Sequence, residues 1–266
     1  MNTLERYTNL EPLSADESGE RFRAHNPETD REIELWVLTP ELSSDEGVKE
    51  YLSLLPKKTG SHLTLFDRRF EHDSRTVLVS EIVTGEPVAQ YITRHLPDPE
   101  RAFTITRDLA RGLKVLHNAG LVHGHVDLQS TIVVSEGRGM LVGMTLPPAA
   151  DVESARDTDL LAMGQVFSAL MTGKSTMDAA DISGLSTVAR LVVRRMTDPD
   201  PHERFENVDA LLVTLEEALL RGVGEEPDIH RKKGFTPRQY LSLAVLMLLL
   251  IILWFVLSFT WPHEQW

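Results

Sequence analysis

One stretch divides this chain into two kinds of material. "YLSLAVLMLLLIILWFVLSFTW", Tyr240 to Trp261, runs for 22 residues without a charge. As a helix rising about 1.5 Å per residue it reaches roughly 33 Å, one bilayer crossing. Buried core helices seldom avoid every charge over such a length, and Tyr240, Trp254 and Trp261 bring aromatics to both ends, where membrane interfaces collect them. Arg231, Lys232, Lys233 and Arg238 precede the run, whereas Pro262 to Trp266 follow it with Glu264 as their one formal charge. The positive-inside bias then places the rest of the chain in the cytosol, and the basic run is read as a topology signal. The expectation is a single-pass, tail-anchored protein of the inner cell membrane. It has a folded domain over residues 6–221, a juxtamembrane linker over 222–239, a transmembrane helix over 240–261 and a far-side tail over 262–266.

Composition narrows what that domain does. Lys and Arg total 27 against 40 Asp and Glu, a net charge of -13, which repels the phosphates a general nucleic-acid binder must neutralise. Nucleic acid is therefore excluded as an expected partner. With no cysteine, the chain can build neither a disulfide framework nor a thiolate metal site or nucleophile. "MNTLERYTNLEP" is polar and acidic, so no cleaved secretory signal is expected.

Hydrophobic periodicity changes along the chain. In "REIELWVL", 31–38, Ile33, Leu35 and Val37 alternate onto one face of a strand, and "RTVLVSEIV", 75–83, is a second β-rich run. Between them "SSDEGVKEYLSLL" starts on Ser and Asp and sets Val48, Tyr51 or Leu52, and Leu55 on one helical face. A sheet with one helix is the simplest product of the first 90 residues. From residue 99 the spacing turns helical: Phe103, Ile105, Leu109, Leu113 and Leu116 form a stripe that stops at Asn118 to Gly120. Further helices are predicted over 159–172, about 185–197 and about 207–221.

This order, with several local strings, resembles the eukaryotic-type Ser/Thr protein kinase family, particularly its bacterial membrane-anchored members, across about residues 6–221. "LARGLKVLHNAGLVHGHVDLQSTIVV" is similar to the helix that runs into the catalytic loop. "DTDLLAMGQVFSALMTGK" is similar to the segment carrying the family's structural aspartate, here Asp159, and "VVRRMTDPDPHERFENVDALLVTLEEAL" to the final subdomain, with Arg204 at its structural arginine. The resemblance implies an α+β, two-lobed protein-kinase-like fold, with a β-rich amino lobe and a helical carboxyl lobe, preceding the transmembrane helix.

The catalytic positions tell a different story. "LVHGHVDLQSTIVV" carries His123, His125 and Asp127 two apart. Their His-x-His-x-Asp spacing resembles the ligand motif of the metallo-β-lactamase family, but Leu128 stands where that family has another histidine, and His202, His230 and His263 have no ligand spacing. The kinase resemblance places His123 at the loop histidine, Gly124 at the arginine and His125 at the catalytic aspartate. Asp127 then falls at the phosphate-contacting lysine, Ser130 at the metal-binding asparagine, and Gly143 of "MLVGMT" at the metal-binding aspartate. In the amino lobe Trp36 takes the ATP-lysine position, Glu50 is the expected helix partner left without its lysine, and Ser14 and Asp16 replace the first two glycines of the nucleotide loop, of which Gly19 is kept.

Phosphoryl transfer rests on positioning, on cations that offset charge at the γ-phosphate, and on a base for the hydroxyl. Lysine, metal ligands and base are lost together, so the resemblance implies a pseudokinase that requires neither ATP nor magnesium and acts through protein partners at the membrane. Asp16, Glu17 and Glu20 would meet a polyphosphate with like charge. The alternatives are an atypical kinase using His125 or Asp127 and a switch that binds nucleotide without hydrolysis. Trp36 and Met144 are expected either to fill the nucleotide space together or simply to pack at the lobe interface.

Overall fold

The computed structural model describes residues 4–56, 61–146, 151–176 and 179–223. The apolar run at 240–261, expected to cross a membrane, lies outside them. Among the described residues no helix is long and apolar enough to cross a membrane.

The amino lobe is built on a five-stranded antiparallel sheet. Its strands are β1 (Thr8–Asp16), β2 (Gly19–Asn26), β3 (Arg31–Leu38), β4 (Arg68–His72) and β5 (Arg75–Glu81), in spatial order β1-β2-β3-β5-β4. Strand β3 has the bounds its alternation predicts, and its two faces enter different cores. Ile33, Leu35 and Val37 pack with Tyr7, Ala24, Phe70, Val77 and Val79 on one side, while Trp36 and Leu38 join the core shared with the carboxyl lobe.

Two helices, not one, follow β3: α1 (Pro40–Ser44) and α2 (Glu46–Leu54). Asp45 ends the first and caps the second, its carboxylate accepting from Val48 N at 2.8 Å. The expected apolar face of α2 is buried through Val48, Tyr51 and Leu52, and Leu55 lies at the helix end.

After the connection at residues 82–84 come β6 (Gly85–Pro87), the short helix α3 (Val88–Arg94), which the sequence reading did not foresee, and α4 (Pro99–Asn118). Asp98 caps α4, and its predicted stripe, Phe103, Ile105, Leu109, Leu113 and Leu116, is wholly buried. At about 1.5–3 kcal/mol for each such side chain, burial outweighs propensity differences of under about 1 kcal/mol per residue. Strand β7 (Thr131–Val134) then pairs with β6 on one side and β8 (Gly139–Leu141) on the other in a three-stranded sheet.

The remaining helices are α5 (Val152–Thr172), α6 (Ala179–Ser183), α7 (Thr187–Met196) and α8 (Val208–Arg221). Helix α5 starts seven residues before the expected 159, because Asp151 caps the segment through Glu153 N and Ser154 N. Phe103 of α4 meets Phe167 of α5 edge to face at 4.9 Å, so the two longest described helices share one core. Residues 142–151 alone connect β8 to α5.

Candidate functional site

The loop between α4 and β7 is pinned from below by Asp159 of α5. That carboxylate is 1% exposed, and a charge so deeply buried must be hydrogen-bonded. Oδ2 accepts from His123 N at 2.8 Å and faces His117 Nε2 at 3.1 Å, while Oδ1 accepts from Gly124 N at 2.9 Å. Arg156, on the same helix, donates to His117 O at 2.7 Å. Three groups 35 to 42 residues away in sequence thus converge on one acid.

Gly124 suits this geometry for two reasons. Its φ of +72° is costly for a side-chain-bearing residue, and a Cβ there would come within 2.3 Å of Thr145 Oγ1. Thr145 N in turn donates to His123 O, tying the segment after β8 to the loop.

The His123 ring is wholly buried, and burial holds its pKa below the ordinary imidazole value. Its Nε2 lies 3.1 Å from Val142 O, an acceptor, so Nε2 carries the proton and Nδ1 receives the His125 N–H at 3.4 Å. The native state resists a proton that the unfolded chain takes up near pH 6.5. Stability is therefore present above that value and falls as pH drops toward the depressed folded pKa, at up to about 1.4 kcal/mol per pH unit. Urea unfolding at several pH values is expected to follow this slope in wild type. His123→Gln, which retains a donor but does not titrate, is expected to flatten it.

His125 and Asp127 occupy the exposed side of the same loop, with Nε2 to Oδ2 at 3.2 Å and side chains 59% and 43% exposed. The other Asp127 oxygen accepts from Gln129 N and Ser130 N, both at 2.7 Å. Burial by itself would raise the Asp127 carboxyl, but those backbone donors and His125 hold it below the usual carboxylate range. Ser130 closes the loop: its hydroxyl donates to His125 O at 2.6 Å and accepts from Asp127 N at 2.9 Å. Gly143, next to Val142, sits at φ +74° facing open space.

Above the loop, Trp36 is 1% exposed in the same core as Met144. Arg21 of β2 stacks on the indole at 3.8 Å and pairs with Glu34 of β3 at 2.7 Å. Phe66 lies against the same ring at 5.8 Å. A cavity lined by Arg21, Glu34, Phe66, Ile132, Gly143 and Met144 among others measures about 190 Å³, and one of about 460 Å³ shares Thr64, Leu65, Glu81, Ile82 and Val83 with it.

The other predicted positions lie elsewhere. Glu50 is on the exposed side of α2, and the neighbouring Tyr51 faces inward, its hydroxyl donating to Val122 O at 2.8 Å. Burial pushes that phenol up to about 12. Ser14 and Asp16 belong to the exposed strand β1. Asp16 closes the tight Glu17–Ser18 turn by accepting from the Ser18 N–H and hydroxyl, contacts that hold its carboxyl low. Gly19 permits the close approach of β3: a Cβ there would sit 2.2 Å from Val37 O. Arg204, 8% exposed, pairs with Asp157 of α5 at 2.9 Å. Arg21, Glu34, His117 and Asp157 were missed by sequence reasoning, and Tyr51 was read only as part of an apolar helix face. That Arg21, Glu34 and Trp36 lie on one face of the sheet becomes visible only once the register pairs Arg21 of β2 with Trp36 of β3. Among the described residues no three His, Asp or Glu side chains gather as a metal-ligand set.

A strand-built amino lobe, a helical carboxyl lobe and a connecting loop held by an aspartate of α5 define a protein-kinase-like fold. The kinase domain of PknI from Mycobacterium tuberculosis, solved as a point mutant, matches 80% of this chain and 95% of that domain with a TM-score of 0.58 at 20% identity, a likeness of fold. In sequence the chain is 25% identical over 141 residues, 50% of its length, to the serine/threonine-protein kinase pkn2 of Myxococcus xanthus. That match covers 17% of the length of pkn2. No family model matches the chain.

Proposed function

We propose that this chain is a pseudokinase, held at the cytosolic face of a membrane by residues 240–261, that recruits or regulates a protein partner and transfers no phosphoryl group from ATP. The observation that carries this reading is Trp36. At the place where the resemblance expects an ammonium for ATP stands a fully buried indole, stapled by an Arg21 guanidinium that Glu34 already neutralises. An indole cannot act as a point charge toward phosphate, and Arg21 would have to leave both the ring and Glu34 to do so. The lack of a carboxylate at Gly143 agrees with a cleft that takes no magnesium. The connection over 142–151 is short for a substrate-docking loop, which leaves the loop face available to a partner. A tether raises the effective concentration of any partner in the same membrane.

The test is the melting temperature of residues 1–228 with and without millimolar ATP and magnesium or manganese, because a ligand of the native state must raise it. No rise at saturating nucleotide is expected. A metal-dependent rise would overturn the reading in favour of a nucleotide switch or an atypical kinase using His125 or Asp127, and radiolabel transfer to a generic protein substrate would then separate those two.

A further inference from the structure

His125 differs from the other histidines that contact a carboxylate. His25 has Asp30 at 3.4 Å from Nε2 and Glu32 at 3.6 Å from Nδ1, so both ring nitrogens face acids, and its side chain is 26% exposed. His72 meets Asp73 at 3.5 Å, but Asp73 is 88% exposed on a tight turn, and the histidine is 28% exposed. His117 is buried against Asp159, and His62, 19% exposed, faces Asp108 through Nδ1 only at 4.0 Å. The His125 side chain is 59% exposed and touches its acid through Nε2 alone, and Nδ1 has no partner among the described residues.

The acid is also better held. One Asp127 oxygen is fixed by two backbone N–H groups at 2.7 Å, and Ser130 ties both residues' backbones together, so the oxygen facing His125 has a set position. A carboxylate at Nε2 fixes the proton there and leaves the Nδ1 lone pair directed to solvent. An oriented imidazole with one open nitrogen is a nucleophile in waiting.

We propose that His125 is a phosphoryl-accepting modification site, with Asp127 as its positioning residue and a phosphoramidate-type compound, or a partner's phosphohistidine, as donor. Nδ1 forms a bond to phosphorus as the donor's P–N bond breaks. The ring becomes cationic, and Asp127 offsets that charge until the Nε2 proton passes through solvent to the departing nitrogen. With phosphoramidate, histidine becomes phosphohistidine and the leaving group ends as ammonium. No oxidant, metal or nucleotide takes part. The product carries a phosphate on a surface loop of the proposed scaffold, the kind of charge that recruits or repels a partner. This role goes beyond the scaffold reading and does not depend on whether ATP binds.

The experiment incubates the purified full-length chain with phosphoramidate at neutral pH and maps acid-labile, alkali-stable phosphate by peptide. Labelling of the His125 peptide is expected to outpace that of the His25 and His72 peptides by about tenfold, the lower end of what an orienting carboxylate contributes to an imidazole elsewhere. His125→Asn removes the label, and as an exposed change it leaves the melting temperature in place. D127N keeps an oxygen for the two backbone donors but slows labelling by about tenfold and shifts the ring tautomer seen by nitrogen NMR. Labelling at a rate no greater than His25 or His72, or a D127N rate equal to wild type, would overturn the proposal.

Discussion

Replacing Asp159 with alanine is expected to lower the unfolding free energy by about 3–5 kcal/mol, the cost of breaking a buried charged network from one side. The substitution strands the buried His123 N–H and the partly buried Gly124 N–H and removes the buried acceptor facing His117 Nε2. Each buried donor left without a partner costs about 1–3 kcal/mol, so the loss exceeds that of a single hydrogen bond. Urea unfolding monitored by circular dichroism measures it. The loop itself should loosen more than the fold, with amide exchange at His123, Gly124 and Thr145 rising beyond what the global destabilisation explains. A loss under about 1 kcal/mol would mean that water replaces the carboxylate and that the loop is not held as described.

The second large effect belongs to Trp36. Trp36→Ala is expected to cost about 3–5 kcal/mol, the range for emptying a core aromatic site. The indole N–H has no partner among the described residues, so this loss comes from packing and from the Arg21 stack, and Trp36→Phe is expected to recover most of it. Trp36→Lys restores the ammonium of the kinase resemblance and is the sharper comparison. Glu50 lies on the exposed side of α2, so the new charge would be buried away from its expected partner. That variant is expected to unfold at least as readily as Trp36→Ala and to gain no thermal shift with ATP and magnesium. A clear shift would mean that one side chain alone closed the cleft to nucleotide.

These two residues also mark the limits of what could be read in advance. Asp159 was visible as a scaffold position through its string, yet its partners lie 35 to 42 residues away and belong to a loop and a helix end. Trp36 was visible as a lost lysine. What replaced the lysine was not, because Arg21 reaches the indole only through the pairing of β2 with β3. The early start of α5 has a similar origin. "DVESARDT" carries an N-cap but no apolar stripe, and its Asp157 reaches Arg204 only once the final helices pack around it.

The sequence by itself determined the elements whose signal is local: the alternation of β3, the stripe of α4 and the cap at Asp45. It also determined which charges are missing from the positions the kinase resemblance marks. The tertiary structure decided which side chains meet: Glu50 turned outward, Tyr51 bound to Val122, Arg21 laid on Trp36, and Asp127 turned to hold His125. Periodicity reports the one face an element must bury. Strand register, helix rotation and loop closure decide which other faces it meets, and those depend on contacts across the whole fold.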